Sequence, residues 1–168
     1  MDHSRYHDAV VAKRREHGFD VVDEWTNGFD PVWAARDEDP TVGDVHLLAT
    51  VVDGTDYGPS AVVETADDFR ELLLERVVNP GGSTTPIGYV VVTVPAPDEA
   101  LVERATSYTV AKRRTNVFPL VYDRAARRLH THSIPRLKGR GIYRRQVDDA
   151  ERLFDVPDVD GRSRSRSP

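Results

Sequence analysis

Residues 87–94 (IGYVVVTV) constrain this chain more than any other stretch, because they are apolar on both faces of an extended strand. A strand with one wet face alternates apolar and polar residues. One that does not alternate must be covered on both sides, as the central strand of a sheet with helices packed above and below it. Residues 45–52 (VHLLATVV) and 117–122 (VFPLVY) are similarly apolar and read as further strands of that sheet.

The remaining segments supply the cover and the edges. Ser4, Tyr6, Val10, Val11 and Arg14 have helical spacing and Gly18 supplies a stop, which predicts a helix over residues 4–17. Residues 19–25 are β-rich, and Asn27-Gly28 is a hairpin signal leading into residues 31–36. A polar loop is expected at 37–43, and Asp53-Gly54 turns residues 45–52 into a neighbouring strand at 60–64 (SAVVE). Phe69, Leu72, Leu73 and Arg76 predict a helix over 69–78 with Asp67 and Asp68 at its positive end, and residues 79–86 form a loop. Pro97-Asp98 opens a helix to about residue 114. A hairpin through 123–127 into 129–133, a basic loop and a short helix at 148–154 complete the order.

The fold class this predicts is α/β, a mixed central sheet flanked by helices, although the order also accommodates an α+β arrangement. Residues 1–156 make one domain. The last twelve residues, ending GRSRSRSP, are too polar to order themselves. A chain of 168 residues buries roughly 70% of its unfolded surface, so a core is available without covalent staples. The absence of cysteine excludes a disulfide framework and a thiolate zinc site. No apolar leader begins the sequence and no apolar run approaches the ~20 residues of a membrane span, so a cytoplasmic protein without a membrane partner is expected.

Charge is unevenly chosen and unevenly placed. There are 20 Arg against 3 Lys and 19 Asp against 9 Glu, a bias similar to that of haloarchaeal, salt-adapted proteins and produced in part by GC-rich coding. Residues 1–100 carry 7 basic and 20 acidic side chains, whereas residues 101–168 carry 16 basic and 8 acidic. Such asymmetry points to a polyanionic partner, or else to the two halves pairing with one another inside the fold.

The order of elements over residues 4–122 resembles the core of the PD-(D/E)XK superfamily, the restriction-endonuclease-like nucleases. In that family an Asp at the start of one strand and a Glu on the next, followed after one residue by Lys, converge on a divalent metal. The resemblance implies that Asp44 and Glu64, at the ends of two expected neighbouring strands, are the catalytic carboxylates and would hold Mg²⁺. The position of the family's Lys is Ala66 here. Arg70 is the nearest substitute cation, and an Arg cannot accept a proton.

The second candidate site is basic. Residues 134–145 (IPRLKGRGIYRR) gather Arg136, Lys138, Arg140, Arg144 and Arg145 around two glycines, with Tyr143 among them. Guanidinium forks suit phosphates, and a Tyr ring can stack on an unpaired base. Lys112, Arg113 and Arg114 form another cluster that either contacts phosphate or stabilises the end of a helix. His130 with His132, and His3 with His7, have spacings that allow chelation, though two ligands do not make a site. Gly81-Gly82-Ser83 precedes a strand rather than a helix and reads as a linker, not a phosphate loop.

Together these features predict a nucleic-acid-binding protein, DNA more than RNA, on a nuclease-like core with little or no catalysis. A structural or assembly protein, viral in the haloarchaeal setting and homo-oligomeric, would use the same basic half. Mg-dependent DNA cleavage is the third reading.

Overall fold

The structure, a computed structural model, describes residues 1–76, 84–108, 115–137 and 139–156. The expected loop at 79–86 in its greater part, Lys112, Arg113, Arg114, Lys138 and the tail from residue 157 lie outside the described residues, whereas the helix expected to run from 97 to about 114 ends within them, at Thr106 with Ser107 as its C-cap.

Six strands form one mixed sheet in sequential order: β1 (Asp20–Val21), β2 (Val32–Asp39), β3 (Gly43–Asp53), β4 (Thr85–Val94), β5 (Asn116–Asp123) and β6 (Arg128–His130). The first three are an antiparallel meander, β3, β4 and β5 run parallel, and β6 returns antiparallel. Parallel neighbours need crossovers, which are α2 (Pro59–Arg76) between β3 and β4 and α3 (Glu99–Thr106) between β4 and β5. The other two helices are α1 (His3–Glu16) and α4 (Arg140–Asp149), the latter continued by a π-type turn, Ala150–Phe154. The fold is therefore α/β.

Strand alternation sorts the core into two layers. Leu48, Val90, Val92, Val117 and Val121 face Val62, Ala66, Phe69, Leu72 and Leu73 of α2 and Leu101 and Ala105 of α3. The alternate residues Leu47, Ala49, Tyr89, Val91, Phe118, Leu120 and Tyr122 face Tyr6 and Val10 of α1 and Ala150, Leu153 and Phe154. Both faces of β4 are buried throughout residues 87–94, as its lack of alternation requires. Asp2 and Asp98 cap α1 and α3 by accepting from the backbone N–H groups of Arg5 and Leu101.

Three differences from expectation bear on the candidate sites. Residues 60–64 are not a strand but the first turns of α2. Val62, Ala66, Phe69 and Leu73 recur at three- and four-residue spacing on its buried face, and Pro59 stands at its first position, so helical burial overrides the β-propensity of the valines. Asp67 and Asp68 consequently lie mid-helix. Residues 37–39 extend β2, leaving a turn in which Asp39 Oδ1 accepts from the backbone of Thr41 and Val42, each at 2.8 Å. The third is the basic segment: from Arg140 onward it is helix rather than loop.

Candidate functional site

The basic edge. α4 begins at Gly139, whose φ of 77° only glycine adopts easily, and its start is packed on the β2–β3 turn: a Cβ on Gly141 would stand 2.7 Å from Thr41. The helix is fastened from its inner side. Gln146 accepts from His132 N at 3.1 Å and donates to the carbonyls of His132 (2.8 Å) and Tyr143 (2.9 Å). Arg145 is only 7% exposed and is clasped by Asp149 at 2.8 Å, Asp37 at 2.8 Å and Asp39 at 3.4 Å. Asp149, itself 1% exposed, also accepts from Tyr89 Oη at 2.6 Å and Arg152 at 2.7 Å.

These contacts correct two of the expected nucleic-acid ligands. Arg145 belongs to an internal ion cluster, because its position on α4 turns it toward the acidic end of β2. The charge of an Arg gives no hint of which anion it will meet. Tyr143 offers only part of its ring: it is partly buried in a T-shaped contact with Phe118, with centroids 5.3 Å apart, and lies beside His132. Arg136, Arg140 and Arg144 are placed differently. All three are exposed, and they make no ion pair among the described residues. Arg140 and Arg144 stand one turn apart on the outer side of α4, about 6 Å between their Cβ atoms.

The carboxylate pair. Asp44 opens β3 at the end of the sheet where α4 starts, opposite Glu38 of β2. Glu64 is exposed on the second turn of α2, which begins beyond the other end of β3. Strand and helix rises put the two roughly 20 Å apart along the sheet, so they do not form a shared site. Arg70 lies further along α2 beside Tyr108, whose hydroxyl donates to Asp67. Burial, that bond and the Asp67 charge push the Tyr108 hydroxyl up to about 12 against the opposing Arg70. Asp44, Glu64 and Arg70 are thus three separate residues, and Asp44 and Glu64 do not converge to hold Mg²⁺ between them.

The cleft. At the C-terminal end of β3 a cavity of about 390 Å³ opens beside the start of β2. Asp30, Thr50, Val52 and Asp53 line its floor, with Tyr57, Thr65 and Asp68 from the α2 side and His3 from α1. Thr50 donates to the Pro31 carbonyl at 2.9 Å, and Thr65 to Tyr57 Oη at 3.2 Å. Bonds from the Thr55 hydroxyl and backbone hold the Asp53 carboxyl below its ordinary range, despite partial burial. His3 Nδ1 shares a hydrogen bond with Thr93 Oγ1 at 2.8 Å, and burial lowers its pKa more than Asp53 raises it. Among the described residues no group of three or more His, Cys, Asp or Glu is arranged to hold a metal.

The histidine pairs do not chelate either. His132 is buried with Nε2 on the Pro119 carbonyl at 2.9 Å, and His7 lies beside Trp33 rather than converging with His3 on a third ligand. The signals that could have located the cleft were Pro59 at the start of a helical apolar pattern and the Phe29-Asp30-Pro31 entry to β2. Both are local, but their meeting is not. No family model, curated protein or solved structure matches this chain. Among the described residues no helix is long and apolar enough to cross a membrane.

Proposed function

We propose that this protein binds nucleic acid, DNA before RNA, through the exposed arginines around the start of α4, and that it does so on a nuclease-like core that does not cleave. The observation that carries the reading is the contrast within one cluster. Arg145 is neutralised by Asp37, Asp39 and Asp149, while Arg136, Arg140 and Arg144 face solvent with no acidic partner among the described residues. Forked guanidiniums left free in this way suit phosphate oxygens bidentately.

The core supports the second half of the proposal. One helix, a three-strand meander, a crossover helix and a parallel strand follow one another in the order on which the resemblance to the PD-(D/E)XK nucleases rests. Asp30 stands just before β2. By the register Val32↔Thr50, the β3 residues beside it are Thr50 and Val52, on the same face and in the same cleft. Asp44 and Glu64, on which the resemblance places the metal, stand toward different ends of the sheet, and Thr50 and Val52 beside Asp30 carry no charge. Neither can take the part of a charged metal ligand or a catalytic cation.

The test is a fluorescence-anisotropy titration of labelled DNA with wild type and with the triple variant R136A/R140A/R144A, alongside melting curves. Binding by wild type that is lost in the triple variant at unchanged melting temperature supports the interface. Equal binding by the two rejects it.

A further inference from the structure

We infer that the basic edge takes duplex rather than single-stranded nucleic acid, holding it by its phosphates; this rests on the nucleic-acid reading proposed above. Tight binding of a single strand requires aromatic faces, each worth roughly 1–3 kcal/mol per stacked base. Tyr143 is the aromatic residue within this cluster, and its ring is held by Phe118 and His132. Trp25 is 59% exposed, but it stands between Glu24, which pairs with Arg76 of α2, and residues 27–30, which line the cleft at the C-terminal end of β3, so it lies on the α2 side of the sheet and not on the α4 side. The edge and the cleft are separated by the length of that strand, roughly 30 Å.

What remains at the edge is a rigid row of cations. Arg140 and Arg144 ride on a helix pinned by Arg145 and Gln146, so their spacing is set before any ligand arrives. Gln146, an amide that could have read a base edge, is instead bonded to the backbone of His132 and Tyr143. A preorganised row of guanidiniums gains most from the densest line of phosphates. A duplex carries one charge per ~1.7 Å of axis and releases about 0.9 counterion per contact, against about 0.7 for a single strand. With three arginines engaged, that difference favours the duplex roughly sixfold at 50 mM salt.

The experiment compares a duplex, its separated strands, and an abasic strand with the same number of phosphates, titrated at equal phosphate concentration over about 50 to 200 mM salt. The duplex should bind several-fold tighter, with affinity falling about 40-fold over that range. The natural single strand and the abasic strand should bind alike within about twofold, since no ring stacks on a base. A single strand that binds as tightly as the duplex, or an abasic strand that loses tenfold or more against the natural one, overturns the inference while leaving nucleic-acid binding intact. Absence of binding to all three ligands removes the underlying reading, and the inference with it.

Discussion

Arg145 on α4 and Asp37 on β2 meet at 2.8 Å, a contact that ties the basic part of the chain to its acidic part across more than a hundred residues. Asp39 and Asp149 complete the cluster from either side. A guanidinium with three carboxylates around it stays protonated, and its pKa is driven up by those acids in spite of burial. The charge asymmetry of the sequence is therefore resolved in two ways at once. One arginine is answered inside the fold, and its neighbours Arg140 and Arg144 are left facing outward.

Replacing Arg145 with Ala should destabilise the protein by about 3 kcal/mol, because it leaves the half-buried Asp39 without its cation and the buried Asp149 with Arg152 alone. For a chain of this size that is a fall in melting temperature of about 6–12 °C. Thermal denaturation of R145A beside R144A separates the roles: the exposed neighbour should move the midpoint by no more than a degree or two. Equal shifts would mean that the internal cluster is not what stabilises α4.

The same cluster predicts an acid limit. Burial pushes the Asp37 and Asp39 carboxyls up, but backbone N–H groups and Arg145 outweigh it and hold both below the ordinary value of 3.8. Since the unfolded chain binds these protons first, their contribution is complete above that value and disappears as the pH falls through the lowered folded values. Urea midpoints measured from pH 5 to about 2.5 should fall more steeply for wild type than for D37N/D39N. Parallel curves would contradict the assignment.

A gentler loss of stability should begin nearer neutrality. Burial lowers the pKa of His132 below 6.5, more than its bond to the Pro119 carbonyl raises it, and His3, His46 and His130 are lowered for the same first reason. The unfolded state then takes up protons that the folded state refuses. Stability present above pH 6.5 is lost as the pH drops toward the folded values. In H132Q the slope of stability between about pH 7 and 5 should flatten, as read by denaturant titration.

Gly54 should tolerate no side chain. A Cβ there would stand 2.2 Å from Val92 Cγ1 and 3.1 Å from the Thr93 carbonyl, and Val92 is fully buried and β-branched, so it has no room to yield. G54A is expected to cost roughly 1–3 kcal/mol in equilibrium unfolding. A neutral substitution would show that the turn after β3 can shift away from β4.

The proposed loss of catalysis also has a direct readout. With Thr50 and Val52 in the floor of the cleft, incubation of supercoiled DNA with the protein and Mg²⁺ should leave it uncut at enzyme concentrations that saturate binding. Nicking that disappears in D30N would show that the cleft is catalytic after all.

The sequence by itself determined the elements whose signal is local. Residues 45–52, 87–94 and 117–122 are strands because runs of apolar, largely β-branched residues leave no polar face. α1 and α3 start where Asp2 and Asp98 can cap them. Tertiary structure decided whatever depended on a partner. Residues 60–64 carry valines that suit a strand, and they became helix because Val62 and Ala66 complete the apolar face continued by Phe69 and Leu73. Residues 37–39 look like a loop, and they became strand because residues 43–45 were there to pair with them. Asp44 and Glu64 are neighbours only if the chain between them is a hairpin. A crossover helix sends them to different ends of the sheet. The same holds for Arg145 and Tyr143, whose types announce phosphate and base but whose place on the inner side of α4 delivers them to Asp37 and Phe118. Periodicity and propensity act over a few residues and can be read along the chain, whereas an ion pair or a ring contact between β2, β5 and α4 exists only once long-range packing has chosen which side chains face each other.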